Sequence, residues 1–413
     1  MRERADPSRL TLVLTNCCNM SCSYCYERSG QPESMSWDTA RSGADLALSM
    51  PGRVVELTFY GGEPLLEFGL IRRIVTYVED SVSPGRQVRF WVVTNGTLIE
   101  REIADFLAEH EFTTQVSFDG VPEAQGLRGE GTFERLDRAL DAMWESHPAY
   151  YSRRVEVSIT VPPEALPFLS KSVDYFLRKG VRAIDLTPVI TPDRGWRGDR
   201  VRELEEQFGF ILESSLTHHE RTGLVPLKLY SGEGLALDSP VASRAMCEIV
   251  GGNSWAVGPD GTVSGCVLFA PSIQGYDSNL LRGCRSTMVV GNVSDPDIAS
   301  KMAAFTDKVV RLPIMSEKEK KYSSHRKCID CRFFSVCVTC PASIGFIEGN
   351  SDPHRIPDYY CAFNYTALAS RDGFPVQPTD IEVIRGDKHC DLREKWKKMG
   401  EAARSASSPK SLN

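Results

Sequence analysis

The stretch Leu10-Thr-Leu-Val-Leu-Thr-Asn-Cys-Cys-Asn-Met-Ser-Cys-Ser-Tyr-Cys25 runs from apolar and β-branched residues straight into three cysteines, Cys18, Cys22 and Cys25. Residues 10–15 predict a β-strand, so the three thiols stand just past its C-terminal end. Three residues separate the first pair of cysteines and two separate the second. Soft thiolates are what iron and sulfide prefer, and a [4Fe-4S] cube has four irons to hold. One short loop then ligates three irons and leaves the fourth to a distant residue, to water or to a chelating substrate. Zinc is the competing reading because C-x2-C pairs are common in its sites, but the three-then-two spacing favours iron.

Length and composition narrow the setting. The chain has 413 residues, room for one large domain and a smaller one. A formal net charge of -7 gives no electrostatic case for nucleic-acid binding. The charged start Met-Arg-Glu-Arg leads into the first strand without the apolar core of a signal peptide. No run of about 18 apolar residues is long enough to span a membrane. Thirteen cysteines in a chain of this size read as grouped metal ligands rather than disulfides, which places the protein in a reducing compartment, the cytoplasm.

Periodicity supplies the scaffold. Strand-like runs fall at residues 10–15, 54–60, 88–93, 114–118, 155–160 and 183–188. Helical spacing fills residues 36–50, 66–79, 98–110, 132–145 and 164–179. Six strands alternating with helices predict parallel βα units joined by right-handed crossovers. Strands buried on both faces account for near-continuous apolar runs such as Val54-Val-Glu-Leu-Thr-Phe-Tyr60. An open doubly wound sheet and a curved partial barrel both satisfy this pattern, and both bind ligands at the carboxyl ends of the strands.

The unusual residues cluster at those ends. The second strand ends Phe59-Tyr-Gly-Gly-Glu-Pro64, the third Thr94-Asn-Gly96 and the fourth Ser117-Phe-Asp-Gly120. Paired Gly61 and Gly62 let backbone approach a ligand that a Cβ would repel, and Glu63 accepts hydrogen bonds from an ammonium group. Read alone, the same residues are ordinary turns before a helix that Pro64 helps to begin.

The motifs CNMSCSYC, YGGEP and SFDG together resemble those of radical S-adenosylmethionine (SAM) enzymes, over roughly residues 8–230. The resemblance implies a partial (β/α)6 TIM-like barrel. Cys18, Cys22 and Cys25 would hold a [4Fe-4S] cluster whose fourth iron binds SAM. Gly61, Gly62 and Glu63 would contact the methionine amino group, and Tyr24 would stand where the family leans on adenine. Asn95 and Ser117 would contact ribose or the methionyl portion. Arg128, with a guanidinium matched to two carboxylate oxygens, would meet the SAM carboxylate or else remain a solvated loop arginine. Asp119 is expected to order the turn after the fourth strand rather than to do chemistry.

Residues 191–239 read as a connector, after which a second set of cysteines follows: Cys247, Cys266, Cys328, Cys331, Cys337, Cys340 and Cys361. A Pro259-Asp-Gly261 turn predicts a small β-hairpin between the first two. This region, about residues 240–365, resembles the cysteine-rich SPASM domain of peptide-modifying radical SAM enzymes. That resemblance implies two auxiliary [4Fe-4S] clusters. Cys328, Cys331, Cys337 and Cys361 would hold an outer one, and Cys247, Cys266 and Cys340 an inner one. The eighth place is an open iron, Cys284 or a non-cysteine ligand. The compact run C-x2-C-x5-C-x2-C is one residue shorter than the usual pattern, which affects Cys340. Val267 stands where sulfatase-maturing members carry an aspartate base, and this disfavours formylglycine formation. Residues 366–413 form a C-terminal extension with a short basic helix and a frayed tail.

The functional expectation is a radical SAM oxidoreductase or maturase acting on a peptide or protein. The alternatives are an oxidoreductase acting on a small molecule and a non-enzymatic iron–sulfur electron carrier. The expected partners are the substrate and an electron donor such as flavodoxin or ferredoxin; since the first strand begins near residue 10, leader recognition is left to a separate leader-peptide recognition protein, a leader-independent substrate or docking on the chain's own surface. Neither a membrane nor a nucleic acid is expected.

Overall fold

The structure, a computed structural model, describes residues 8–27, 32–192, 195–232, 247, 249, 252–270 and 278–375. The expected basic helix and tail after residue 375, Cys390 and the segment 233–246 lie outside the described residues.

Six parallel strands form the frame: β1 (Ser8–Thr15), β2 (Val54–Gly61), β3 (Gln87–Thr94), β4 (Thr113–Ser117), β5 (Val155–Val161) and β6 (Ala183–Pro188). They pair in sequence order, as successive right-handed βα units dictate. Helices Trp37–Ser49, Phe68–Ser81, Arg101–Glu109, Thr132–Ser146 and Leu169–Lys179 make the crossovers. The first helix starts at Ser36, whose hydroxyl accepts from the Thr39 N–H at 3.1 Å. It lays a face of small residues, Ala40, Gly43, Ala44 and Ala47, on the sheet. A Cβ at Gly43 would lie 2.7 Å from Leu12 Cδ2, so glycine is what allows this approach. Phe59, Phe90 and Phe112 stack on β2 and β3 with centroids 5.3 to 6.3 Å apart. The result is the partial barrel-like sheet of the expected fold class.

Two features depart from the expected succession of separate domains. Strands β7 (Ser254–Val257), β8 (Thr262–Ser264) and β9 (Val289–Asn292) continue the same sheet, in the order β6-β5-β4-β3-β2-β1-β7-β8-β9. β7 adds in parallel to β1, pairing Leu10 with Trp255 and Leu12 with Val257. β1 would otherwise be a long apolar edge with unpaired backbone groups, and the hairpin covers it. The expected turn is present: Gly261 has φ +81°, and the Gly258 N–H donates to the Thr262 carbonyl at 2.8 Å.

The expected connector also contains a 22-residue helix, Val201–Thr222, packed against Leu169–Lys179 and against a C-terminal helix, Asp358–Arg371. Phe208 meets Phe363 edge-on at 5.3 Å. The Tyr359 hydroxyl donates to the Val161 carbonyl at the end of β5, 2.7 Å away. The cysteine-rich region is therefore attached to both sides of the barrel, through a hairpin on β1 and a helix against β5 and the edge strand β6.

Candidate active site

The cysteine loop leaves β1 through a register shift between Val13 and Thr15, where the pairing with β2 is broken. Thr15 fixes the exit: its hydroxyl donates to the Glu33 carbonyl at 2.9 Å and accepts the Cys17 N–H at 3.1 Å. Cys18 is exposed, and Cys22 and Cys25 are half-buried. The three thiols lie near enough to act on one another electrostatically. Burial pushes the Cys18 and Cys22 thiols up; Glu63 adds to this at Cys18, and the Arg128 guanidinium opposes it at Cys22. Sulfur also receives polar contacts: the Met20 N–H reaches Cys18 Sγ at 3.4 Å and Asn95 Nδ2 reaches it at 3.7 Å. Asn95, expected near ribose or methionine, thus touches a cysteine and holds Asn19 Oδ1 at 2.8 Å.

Gly61 and Gly62 are glycines for a reason the sequence reading did not reach. The Gly62 and Glu63 N–H groups donate to the Thr15 and Cys17 carbonyls, each at 2.8 Å. A Cβ on Gly61, which has φ +151°, would stand 2.3 Å from the Thr15 oxygen, and one on Gly62 would stand 2.3 Å from the Cys17 oxygen. The tight approach is to the cysteine loop itself. Gly62→Ala is therefore expected to unseat the loop, losing most of the iron bound there while leaving the C-terminal iron in place; iron and sulfide per chain measure it.

Glu63 is fully buried. Its carboxylate accepts from the Leu65 N–H at 3.0 Å, the Thr94 hydroxyl at 2.7 Å and the Asn95 N–H at 2.7 Å. Burial raises its pKa, and these three donors work against that rise. These three donors fill most of the roughly four acceptor positions of the carboxylate. Ser117 is half-buried at the end of β4.

Arg128 is not a solvated loop arginine. It is buried, and its Nη2 donates to Asp119 Oδ1 at 2.8 Å and to Thr160 Oγ1 at 3.2 Å. Its guanidinium carbon lies 5.4 Å from the centroid of Tyr24, and its buried Nε has no hydrogen-bond partner. Asp119 also accepts the Tyr24 hydroxyl and the Thr160 N–H, the latter at 2.9 Å. As expected, Asp119 is an ordering residue. Its reach is wider than one turn, because it ties the cysteine loop to the ends of β4 and β5.

A second polar group was not singled out in the sequence. Tyr26 and Tyr60 share a hydroxyl–hydroxyl contact beside Glu27. Burial raises the Glu27 carboxyl to about 8, and Tyr26 senses both Cys25 and Cys266. Because these residues meet through the tertiary fold, spacing gave no signal for them.

The later cysteines separate into the two expected groups. Cys328, Cys331, Cys337 and Cys361 line one cavity. Cys266 and Cys340 act on each other and on Cys247. Burial pushes the Cys340 thiol up to about 12, and Cys247 adds to it. Cys284 is buried in the helix Asn279–Met288, where burial raises it to about 11 and the charged group acting on it is Lys321. Its helix packs against Val267–Phe269 and Pro341–Gly345, the short elements that directly follow Cys266 and Cys340. Among the described residues no three His, Cys, Asp or Glu side chains are disposed to hold a single metal ion. A zinc site would need its sulfurs about 2.3 Å from one point, whereas thiols spread around a cavity suit a cube of several atoms.

Among the described residues no helix is long and apolar enough to cross a membrane. Residues 12–160 match the family model described as the Radical SAM superfamily. An uncharacterized protein of Methanocaldococcus jannaschii is 33% identical over 177 residues, covering 42% of this chain and 60% of its own length. The chain thus spans less of that relative than a whole-length counterpart would. A cysteine-type anaerobic sulfatase-maturating enzyme of Clostridium perfringens is 22% identical over 344 residues, 78% of this chain and 84% of its own. The solved structure of native anSMEcpe with bound AdoMet and Kp18Cys peptide matches with a TM-score of 0.68 at 18% identity, covering 92% of this chain and 100% of that one. Streptococcus suis SuiB bound to precursor peptide SuiA matches with a TM-score of 0.53 at 12% identity, covering 86% and 76%. These structural likenesses bear on the fold, and they extend through the cysteine-rich region as well as the barrel. Residues 12–160 are thus similar to the Radical SAM superfamily, and the fold, through the barrel and the cysteine-rich C-terminal region, is that of these solved structures.

Proposed function

We propose that this chain is a radical SAM maturase that modifies a peptide or protein side chain. The observation that carries the reading is the convergence of Cys18, Cys22 and Cys25 with Tyr24 and the unpartnered Nε of Arg128 beyond the ends of a parallel sheet. Three thiolates suit a [4Fe-4S] cluster, and the orphaned donor of Arg128 suits a carboxylate such as that of SAM. When bound, cluster and SAM supply a one-electron cleavage that yields a 5′-deoxyadenosyl radical able to abstract hydrogen. The chain's own residues bind and orient. Asp119 fixes Arg128 so that one edge of its guanidinium is spent and the other is free for a ligand. Glu63 holds the Leu65 and Asn95 N–H groups and so orders the ends of β2 and β3 beside the cysteine loop. Tyr24 places a ring beside the same guanidinium.

The remaining cysteines suit two auxiliary clusters, the inner one held by Cys247, Cys266 and Cys340 with its fourth place an open iron, Cys284 or a non-cysteine ligand. Two relatives favour a peptide or protein substrate: a sulfatase-maturating enzyme and a structure solved with a precursor peptide. Val267 in place of an aspartate argues against formylglycine formation as the product. An electron donor of the flavodoxin or ferredoxin kind and a separate leader-recognition protein complete the reading.

Coexpression with candidate encoded peptides, read by mass spectrometry, tests it. The expected result is a mass change on one peptide that disappears with Cys22→Ala. Unmodified peptides, together with SAM cleavage stimulated by a small metabolite, would overturn the peptide assignment.

A further inference from the structure

The two later cysteine groups differ in their polar surroundings. The cavity lined by Cys328, Cys331, Cys337 and Cys361 is also lined by two cations, Lys318 and Arg326. Lys318 is buried, with Nζ donating to the Cys337 carbonyl at 2.7 Å and lying 5.2 Å from the centroid of Phe334. Arg326 lays its guanidinium 3.3 Å from the centroid of Tyr365, and its buried Nε has no hydrogen-bond partner. Side chains also reach sulfur here: Asn364 Nδ2 is 3.7 Å from Cys337 Sγ and Thr339 Oγ1 is 3.9 Å from it. The inner group has a different environment. Among the described residues, the groups acting on Cys266 and Cys340 are their fellow thiols and backbone N–H groups. Tyr360 stands between the two groups, its hydroxyl accepting the Cys340 N–H at 3.4 Å while it senses Cys337 as well.

Reduction of an iron–sulfur cluster adds one negative charge. Nearby cations and hydrogen bonds to sulfur stabilise that charge, most of all in a low-dielectric interior. We propose that Lys318 and Arg326 are positioning residues that raise the reduction potential of a cluster held by Cys328, Cys331, Cys337 and Cys361 above that of one held by Cys247, Cys266 and Cys340. An electron reaching this region then rests on the outer group. The inference depends on reading both groups as cluster ligands.

The test uses the full chain carrying Cys18→Ala, Cys22→Ala and Cys25→Ala, reconstituted anaerobically and titrated potentiometrically with detection by electron paramagnetic resonance. Two reduction waves are expected in this parent. Lys318→Met and Arg326→Gln keep the parent's iron and move the higher wave down by a roughly tenfold change in the oxidised-to-reduced ratio, about 59 mV for one electron. Lys318→Arg and Arg326→Lys titrate with the parent, and the lower wave stays in place throughout. Because Arg326 is only half-buried, Arg326→Gln gives the result by itself if Lys318→Met does not fold. Neutral variants that keep their iron and titrate with the parent would overturn the inference, as would movement of the lower wave alone. A parent without auxiliary iron would instead remove the cluster reading on which it rests, and iron analysis separates that failure from the others.

Discussion

Replacing Cys18, Cys22 and Cys25 together by alanine removes about four irons per chain and all formation of 5′-deoxyadenosine, while iron held by the later cysteines stays. The separation is expected because the groups sit on different supports. The first hangs from the end of β1 and is clamped by Gly62, Glu63 and Leu127 through backbone hydrogen bonds. The outer group is built from the loop around Cys328 and the helix Asp358–Arg371. None of the three substituted thiols carries a core contact comparable to those of Phe59 or Leu12, so the fold should persist. Iron and sulfide analysis with chromatography of the nucleoside product reads both halves of the prediction. Loss of the auxiliary iron as well would mean that the three groups load as one unit.

Asp119→Asn is the second large effect, and it acts on stability. The Asp119–Arg128 pair has side-chain exposures of 1% and 8%. Removing the charge of Asp119 leaves a buried guanidinium without its counter-charge, and breaking a buried pair in this way costs about 3–5 kcal/mol. The exposed pair Arg72–Glu102, at 58% and 76%, gives the contrast: Glu102→Gln should change stability by less than about 1 kcal/mol. Urea unfolding of the two variants against the parent, under anaerobic conditions, compares them directly. Arg128→Lys should not restore what Arg128→Ala loses, because a lysine cannot contact Asp119, Thr160 and the Tyr24 face with one planar group. A small effect of Asp119→Asn would indicate that water relieves the buried charge.

The barrel was legible because its signal is local. Strands buried on both faces are apolar along their length, and β6 begins and ends where periodicity placed it. The others differ by one or two residues at their ends, as frayed boundaries do. The helix Pro148–Arg154 and the short helix Pro122–Gln125 went unread because few residues define their period.

What could not be read was made by distant partners. β7 has four residues, and nothing in Ser254-Trp-Ala-Val257 says that it will extend β1. Gly61 and Gly62 were visible as glycines. That a Cβ on either would meet Thr15 or Cys17 depends on how two loops pack. Arg128 looked like one charge in a glycine-rich loop, and its burial follows from Asp119, Thr160 and Tyr24 meeting it from three other segments. The cysteines were the easiest to find, but their groups interleave along the chain, because Cys340 lies near Cys247 and Cys266 while Cys337 and Cys361 on either side of it line the other cavity. The surroundings that distinguish Cys284 from Cys266 are tertiary: one faces Lys321, the other a second and third thiol.

The most direct measurement is SAM turnover by the anaerobically reconstituted chain. With intact clusters and a strong reductant, the account predicts 5′-deoxyadenosine and methionine in equal amounts, and neither product once Cys22 is alanine. A chain with full iron content that is reduced, binds SAM and yet forms no 5′-deoxyadenosine would contradict it.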